Sequence, residues 1–420
     1  MNKLTQLFKR PDLRNKIFFI LFILAVYRLI SNVPIPAIDA SQLRNFFATN
    51  QFFGLLSTFT GGSLSQLSIG MLGLGPYITA SIIMQLLTMI FPALEQMYKY
   101  EGEAGRMKFN QYSRMLTVPL AALQGYGFLI ILQRSNVLGP MDLFTWVSTI
   151  LTIVGGSIFL MWLGELITEK NMGNGVSLLI FAGIVAGFPA FIQQKLFTYN
   201  PGLLFSYLAL IVISLVVIMG VIYITEGQRS IPINYARRIR GMKMYGGVST
   251  YLPMRINNAG VMPIIFALSL LLFPGLIASY LVGSRIPFVA SAAQSISVAL
   301  QPGNWIYSLA YFILVVLFTY FYTAVTFDPK SISENIQKQG GYIPGIRPGP
   351  MTAQFLSFLL NRVTLVGAIF LGVIAVLPYI VQPATSVADF TVGGTSVLIV
   401  VSVALEIMKQ VRAQLAMYDY

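Results

Sequence analysis

The stretch FFGLLSTFTGGSLSQLSIGMLGLGPYITASIIMQLLTMIF occupies residues 52–91 and contains no charged residue. Its second half, from Leu74, is a continuous apolar run long enough to cross a bilayer as a helix. Its first half is also apolar, but glycines and hydroxyl side chains interrupt it too often for a spanning helix. Non-helical backbone at membrane depth persists only where it is buried in protein or lines a cavity. The stretch therefore predicts a re-entrant segment followed by a transmembrane helix, with a loop lying on the membrane surface as the alternative.

The composition of the whole chain agrees with a membrane protein. Of 420 residues, 56% are hydrophobic and 10% are charged, and the mean hydropathy is +0.75. A soluble fold has no interior large enough for so much apolar side chain, so much of the chain must face lipid. The chain also has no cysteine and no histidine. Thiolate nucleophiles, Cys-ligated metals and the usual general base are thereby excluded, and we expect neither an enzyme nor a cofactor or metal.

Ten apolar segments, each ended by Pro, Gly, Asn or a charged residue, predict an all-α polytopic membrane protein with ten transmembrane helices. The predicted spans are residues 17–30, 74–91, 115–132, 144–167, 176–192, 203–225, 259–281, 305–325, 363–380 and 392–408.

The basic residues predict the orientation of these spans. With ten spans, all but five of the 27 Lys and Arg residues fall on the side that carries both chain termini. The five on the other side are Arg28, Arg44, Arg134, Lys195 and Arg285. Because cytoplasmic loops retain the positive charge, both termini are predicted to lie in the cytoplasm.

Two long cytoplasmic loops carry much of this charge. Residues 226–255 hold six basic residues and one acidic residue, and their runs 230–234 and 247–253 are compatible with β-strands. Residues 326–362 contain a cluster of glycine and proline that would present Arg347 at the tip of a turn. Loops of this length are usually functional or disordered. The basic side chains of these two loops are electrostatically suited to bind RNA or an acidic protein surface.

The middles of the spans contain no charged residue, whereas ion-coupled transporters usually carry one there. Backbone carbonyls can nevertheless coordinate Na⁺, so an inverted-repeat secondary transporter of a small solute stays an alternative. A scaffold subunit without a conduit is a second alternative. The polar residues inside spans, among them Gln85, Gln124 and Ser269, are typical of interhelical hydrogen bonds.

Ordered blocks of sequence across all ten spans carry a family resemblance. These blocks are TGGS (60–63), MLGLGPYITASIIMQLL (71–87), EGEAGR (101–106), MWLGE (161–165), GNGVS (173–177), FAGIV (181–185), NAGVMP (258–263), FDPK (327–330), GGYIPGIRPG (340–349) and GGTSVLIVV (393–401). Over nearly its whole length, the chain resembles the SecY/Sec61 family of channel-forming subunits of protein translocases.

The resemblance implies two inverted five-helix halves, residues 1–192 and 203–420, joined by a hinge at 193–202 around a central pore. It implies a plug at residues 59–71, with Phe59, Gly61, Gly62, Leu64 and Leu67 among its members. It further implies an apolar pore ring, formed by Leu74, Ile78, Ile180, Ile184, Ile265 and Ile399. Without the resemblance, these isoleucines would be interpreted as ordinary helix packing.

The resemblance also implies a function. It predicts a channel that translocates unfolded secretory polypeptides and releases transmembrane segments sideways through a lateral gate, with Gln85, Gln124 and Ser269 at that gate. The implied docking residues are Arg237, Arg238, Arg240 and Arg347. The implied partners are SecE-like and SecG-like small membrane subunits, a SecA-like ATPase motor, the ribosome, signal sequences and nascent polypeptides, and the lipid bilayer. The implied location is the bacterial plasma membrane.

Overall fold

The structure is a computed structural model that describes residues 10–35, 57, 60–135, 137–139, 141–197, 204–235, 238–240, 243–245, 249–284, 286–301, 304–385 and 390–418. Its helices are α1 (Pro11–Ser31), α2 (Gly75–Ile90), α3 (Pro92–Lys99), α4 (Gly102–Arg134), α5 (Leu143–Glu169), α6 (Gly175–Phe197), α7 (Leu204–Glu226), α8 (Met262–Leu281), α9 (Pro287–Ala299), α10 (Trp305–Thr326), α11 (Pro329–Lys338), α12 (Pro350–Thr385) and α13 (Phe390–Tyr418). Its strands are β1 (Gln228–Tyr235), β2 (Arg238–Arg240), β3 (Lys243–Tyr245), β4 (Ser249–Arg255) and β5 (Gly341–Tyr342).

Each of the ten predicted spans coincides with a helix, and the helical fold class is confirmed. Several helices begin at a proline, whose fixed φ suits the first turn and whose missing N–H costs nothing there. Among the described residues, four segments are long and apolar enough to cross a membrane: Gly102–Arg134, Leu143–Glu169, Trp305–Lys338 and Pro350–Val381. The pair α2 and α3 passes the same test together, with a bend of 111° between them. The count of ten crossings stays a prediction.

The helices pack as two groups that follow the chain. In the first group, α5 contacts α1, α2, α4 and α6. In the second group, α12 contacts α7, α10 and α13, and α10 contacts α8. The two groups meet where α8 packs against α2 and α4, and again where α13 packs against α6. The inverted relation of the two halves and the hinge stay predictions, and residues 198–203 of the connection lie outside the described residues.

The two long basic loops form one folded unit, which the sequence did not predict. The β runs are confirmed: β1 pairs antiparallel with β4, and β5 from the second loop pairs with the other edge of β1, giving the order β4-β1-β5. Ile231 and Ile233 of β1 point into a small core that includes Leu356 and Leu359 of α12. We call this unit the platform. Because α12 contributes residues to this core, the helix begins at Pro350, before the predicted span, which begins at residue 363.

Residues 60–74 form a series of turns inside the first helix group, not a loop on its surface. Leu64, Leu67 and Met71 are at most 1% exposed and pack with side chains of α4 and α5. The segment also pairs with the end of α1: the N–H of Ile35 donates to the carbonyl of Leu67 at 2.9 Å, and the N–H of Ile69 donates to the carbonyl of Val33 at 3.0 Å.

Gly156 on α5 allows this close approach, because a Cβ at that position would collide with the carbonyl group of Ile69. Gly156→Ala is therefore expected to destabilise the fold by about 1–3 kcal/mol. Thermal unfolding of the purified protein in detergent measures the change. Gly155→Ala is the matched control, since a Cβ there meets nothing within 4 Å. Equal unfolding midpoints for the two variants would contradict the packing described for residues 60–74.

Candidate functional site

The six residues of the predicted ring lie in one buried hydrophobic cluster. They come from α2, α6, α8 and α13, with Leu74 just before α2. Each is between 0 and 7% exposed. Ile78 lies one helical turn beyond Leu74, and Ile184 lies one turn beyond Ile180, so each pair shares a helix face. The structure thus brings together apolar side chains from both helix groups, and their role as a pore ring stays a prediction.

A cavity of about 1340 Å³ opens next to this cluster. Ile78 and Ile265 contribute to its apolar part, whereas α4 and α5 line it with polar and charged groups. The charges are balanced between acidic and basic, and Arg114 of α4 forms an ion pair with Glu165 of α5 at 2.6 Å. We call this cavity the vestibule. It exceeds the roughly 300–1,000 Å³ of a typical small-molecule pocket.

The predicted plug is held from α1. The guanidinium of Arg28 donates to the carbonyl of Gly61 at 2.9 Å, and the hydroxyl of Tyr27 donates to the carbonyl of Thr60 at 3.4 Å. Both bonds satisfy carbonyls that no helix satisfies, as backbone at membrane depth requires. Gly61 also has φ +66°, and a Cβ on it would lie 2.8 Å from the Cα of Gly183 on α6. Glycine is required at residue 61 for both conformation and space.

The predicted plug packs its apolar side chains, but two of its hydroxyl groups lack a hydrogen-bond partner in the described residues. Leu64 and Leu67 are buried, and Gly62 takes φ +84°. Within the described part of the chain, the hydroxyls of Ser63 and Ser68 find no hydrogen-bond partner although both are fully buried. Each such group costs about 1–3 kcal/mol. The segment is therefore seated less favourably than an ordinary core segment, which suits a movable element. Phe59 lies outside the described residues.

The predicted lateral-gate residues lie on the helices that join the two groups. Gln85 on α2, Gln124 on α4 and Ser269 on α8 are all half-buried, and α8 packs against both α2 and α4. Gln85 lines the vestibule. No hydrogen bond joins these three side chains to one another in the described residues. The structure brings their helices into contact, and their role at a gate stays a prediction.

The predicted docking residues lie on or near the platform. Arg347 is exposed in the turn that follows β5, and the hydroxyl of Thr352 donates to its carbonyl at 2.9 Å. Gly345 and Gly349 on either side have positive φ values, which glycine adopts without strain, and they shape the turn that presents the guanidinium. Arg238 and Arg240 lie on β2, while Arg237 lies outside the described residues.

Comparison with known proteins identifies the family behind this arrangement. A family model described as SecY matches residues 68–408. The chain belongs to the SecY family. The protein translocase subunit SecY of Thermotoga maritima is 44% identical over 98% of this chain and 95% of its own length. The SecY of Corynebacterium glutamicum is 42% identical over 100% of this chain and 99% of its own length. Like other SecY proteins, the chain is a multi-pass membrane protein.

Solved structures of the same fold agree with the SecY assignment. A protein-conducting channel matches with a TM-score of 0.65 at 21% identity, over 95% of this chain and 91% of that one. Sec61 in the canine ribosome–channel complex matches with a TM-score of 0.64 at 21% identity, over the same shares of the two chains. The comparisons do not support the alternative of a small-solute transporter.

The sequence does not predict several residues that hold residues 60–74 of this SecY-family chain. In the sequence Arg28 bears only on orientation, and Tyr27, Gly156 and Gly183 carry no recognisable signal. The available signal was Arg28 itself, because a basic residue near the end of an apolar helix, on the side where basic residues are scarce, needs a partner.

The burial of residues 60–74 predicts which of their side chains a chemical reagent can reach. Because the chain has no native cysteine, single substitutions report without background. Ser63→Cys is expected to resist a membrane-impermeant thiol reagent at rest, since Ser63 is 0% exposed. Gln66 lies three residues further along the chain and is exposed, so Gln66→Cys is expected to react and serves as the control. Reaction at both sites with equal rates would show that the segment lies on the surface.

Proposed function

We propose that this SecY-family chain is a protein-conducting channel that passes unfolded polypeptides across a membrane and releases apolar segments sideways into lipid. The proposal rests chiefly on one buried apolar cluster that joins both helix groups, contains the six residues of the predicted ring and borders a large polar vestibule through Ile78 and Ile265. No group in this arrangement performs chemistry on a substrate, so the energy for transport comes from a partner.

An apolar constriction is a suitable seal for such a channel. A narrow passage lined by isoleucine and leucine resists wetting, and it blocks ions without a charged filter. The same side chains lack directional bonds and can yield around an extended chain of any sequence. The polar walls of the vestibule, in contrast, can keep water around a polypeptide before it reaches the constriction.

The plug provides a second seal. It contains no charged residue, its leucines pack against α4 and α5, and its buried serine hydroxyls leave it incompletely satisfied. A polypeptide entering the constriction displaces this segment at moderate cost. The glycines at residues 61 and 62 provide the conformational freedom for that movement.

The contact of α8 with α2 and α4 is the proposed lateral gate. This contact joins the two helix groups, and its separation would open the vestibule to lipid. A signal sequence or transmembrane segment is itself an apolar helix, so it partitions through such an opening. Gln85, Gln124 and Ser269 supply the polar contacts of this proposed gate.

The platform is the proposed docking surface for the partners that drive transport. Its basic side chains suit ribosomal RNA or an acidic surface of a SecA-like ATPase motor. SecE-like and SecG-like small subunits are the proposed membrane partners. The distribution of basic residues supports the bacterial plasma membrane as the location, with both termini and the platform in the cytoplasm.

The constriction can be tested at two adjacent residues of α6. Ile184→Asn puts a polar side chain into the buried ring cluster, where Ile184 is 3% exposed. An unsatisfied buried polar group costs the closed state about 1.4 kcal/mol or more, so the resting ion leak is expected to rise roughly ten-fold. Conductance of the purified translocase in planar bilayers measures this leak. Val185→Asn, on the exposed side of the same helix, is the control and is expected to leave the leak unchanged. Equal leaks in both variants would remove Ile184 from the ring.

The docking role can be tested by charge reversal on the platform. Arg347→Glu reverses an exposed charge in the turn after β5 and leaves the membrane core untouched. Motor-driven export into reconstituted vesicles is expected to fall by at least about ten-fold, because like charges then face each other across the contact. Arg412→Glu, an exposed position on α13 outside both platform loops, is the control and is expected to leave export unchanged. Wild-type export by Arg347→Glu would exclude Arg347 from the docking surface.

A further inference from the structure

The contact between α4 and α8 has two distinct ends. Near the start of both helices, Arg114 of α4 and Met262 of α8 line the vestibule. At the far end, α4 finishes at Arg134 and α8 finishes at Leu281. The two helices therefore run in the same direction along their contact, and Arg134 lies at the end opposite the vestibule.

Arg134 reaches across this far end. Its Nη1 donates a hydrogen bond to the carbonyl of Tyr280 at 2.5 Å, between residues 146 positions apart in the chain. Its guanidinium also lies 5.2 Å from the centroid of the Tyr280 ring. The guanidinium thus makes two contacts with one residue of the other helix group, a charge-assisted hydrogen bond and a cation–π contact.

The end of α8 is chemically suited to this contact. The last carbonyls of a helix lack intrahelical partners, and the helix dipole makes this end partly negative. The carbonyls of Ala278 and Leu281 accept backbone N–H groups from Val282 and Ser284. The carbonyl of Tyr280 accepts a hydrogen bond from the guanidinium of Arg134, which places a positive charge at this partly negative helix end.

Gly283 makes room for the guanidinium. A Cβ on Gly283 would lie 2.7 Å from Cζ of Arg134 and closer still to Nη1. The φ of Gly283 is not positive, so glycine is needed there because of the limited space and not because of the backbone conformation. A side chain at this position would displace the guanidinium while leaving its charge in the protein.

We propose that Arg134 is a latch on the contact between α4 and α8 and sets how apolar a segment must be to open it. The latch rests on the proposed function, in which α4 and α8 part to release segments into lipid. Parting requires the guanidinium to leave the carbonyl and the ring of Tyr280, and the entering segment supplies that free energy by partitioning into lipid. A weaker latch admits less apolar segments, so Arg134 is a specificity-determining residue.

The first experiment measures the closed contact directly and does not depend on transport. Spin labels on cysteines at Leu123 of α4 and Ile277 of α8, both exposed, report the distance between the helices in the translocase reconstituted in nanodiscs. Arg134→Ala and Gly283→Val are each expected to increase the separated population roughly five-fold. Arg134→Lys, which keeps the charge but loses the planar stack, is expected to fall between them and wild type.

Gly139→Ala is the matched control, because it lies in the connection that follows α4 and a Cβ there meets nothing within 4 Å. Unchanged distances in both Arg134→Ala and Gly283→Val would overturn the latch. If Arg134→Ala fails to fold, the distance measured in Gly283→Val alone tests the latch, because that variant keeps the charge of Arg134 and displaces only its guanidinium.

The second experiment measures the threshold for lateral release. A series of test segments with increasing leucine content is presented to membrane vesicles, and the fraction integrated into lipid is scored. Variants with a weakened latch are expected to integrate segments that wild type exports. If the variants separate α4 and α8 but integrate test segments at the same leucine content as wild type, Arg134 does not determine specificity. A wild-type protein that neither exports nor integrates any segment would instead overturn the proposed function, while the distance measurement still tests the latch.

Discussion

A non-helical backbone at membrane depth must obtain its hydrogen bonds from protein, and this constraint shapes the whole first helix group. Residues 60–74 are apolar but too rich in glycine to form a spanning helix. Their carbonyl and N–H groups therefore depend on neighbours, and α1 supplies several through Arg28, Tyr27 and the backbone that follows Ser31. The close approach of these turns to α5 and α6 in turn requires glycine at residues 156 and 183.

The proposed seal combines two layers with different physical properties. The six residues of the predicted ring are all apolar and are stabilised by burial, which needs no particular orientation of the side chains. The turns of residues 60–74 carry directional hydrogen bonds and two buried serine hydroxyls without a partner in the described residues. One layer deforms around a chain, and the other is displaced from its seat. Neither layer contains a charged residue of its own, in agreement with spans whose middles are uncharged.

The platform is connected to the proposed gate by continuous packing. The small core beneath β1 includes residues of α12, and α12 packs against α10, which packs against α8. A partner bound at Arg347 would therefore press on a unit whose core is the extension of a helix in the second group. The structure makes the two loops one folded unit and not two independent projections.

The sequence by itself determined the apolar segments, the re-entrant character of residues 60–74 and the strands of the first long loop, while the orientation that the basic residues indicate stays a prediction. These features follow from composition and local periodicity, which act over a few residues. The ring was chosen only through family resemblance, because nothing local distinguishes Ile184 from any other buried isoleucine. Only the tertiary structure decided which distant groups meet: Arg28 with Gly61, β1 with β5, and Arg134 with Tyr280. Periodicity specifies which face of a helix is buried, but the packing of the whole chain decides what that face contacts.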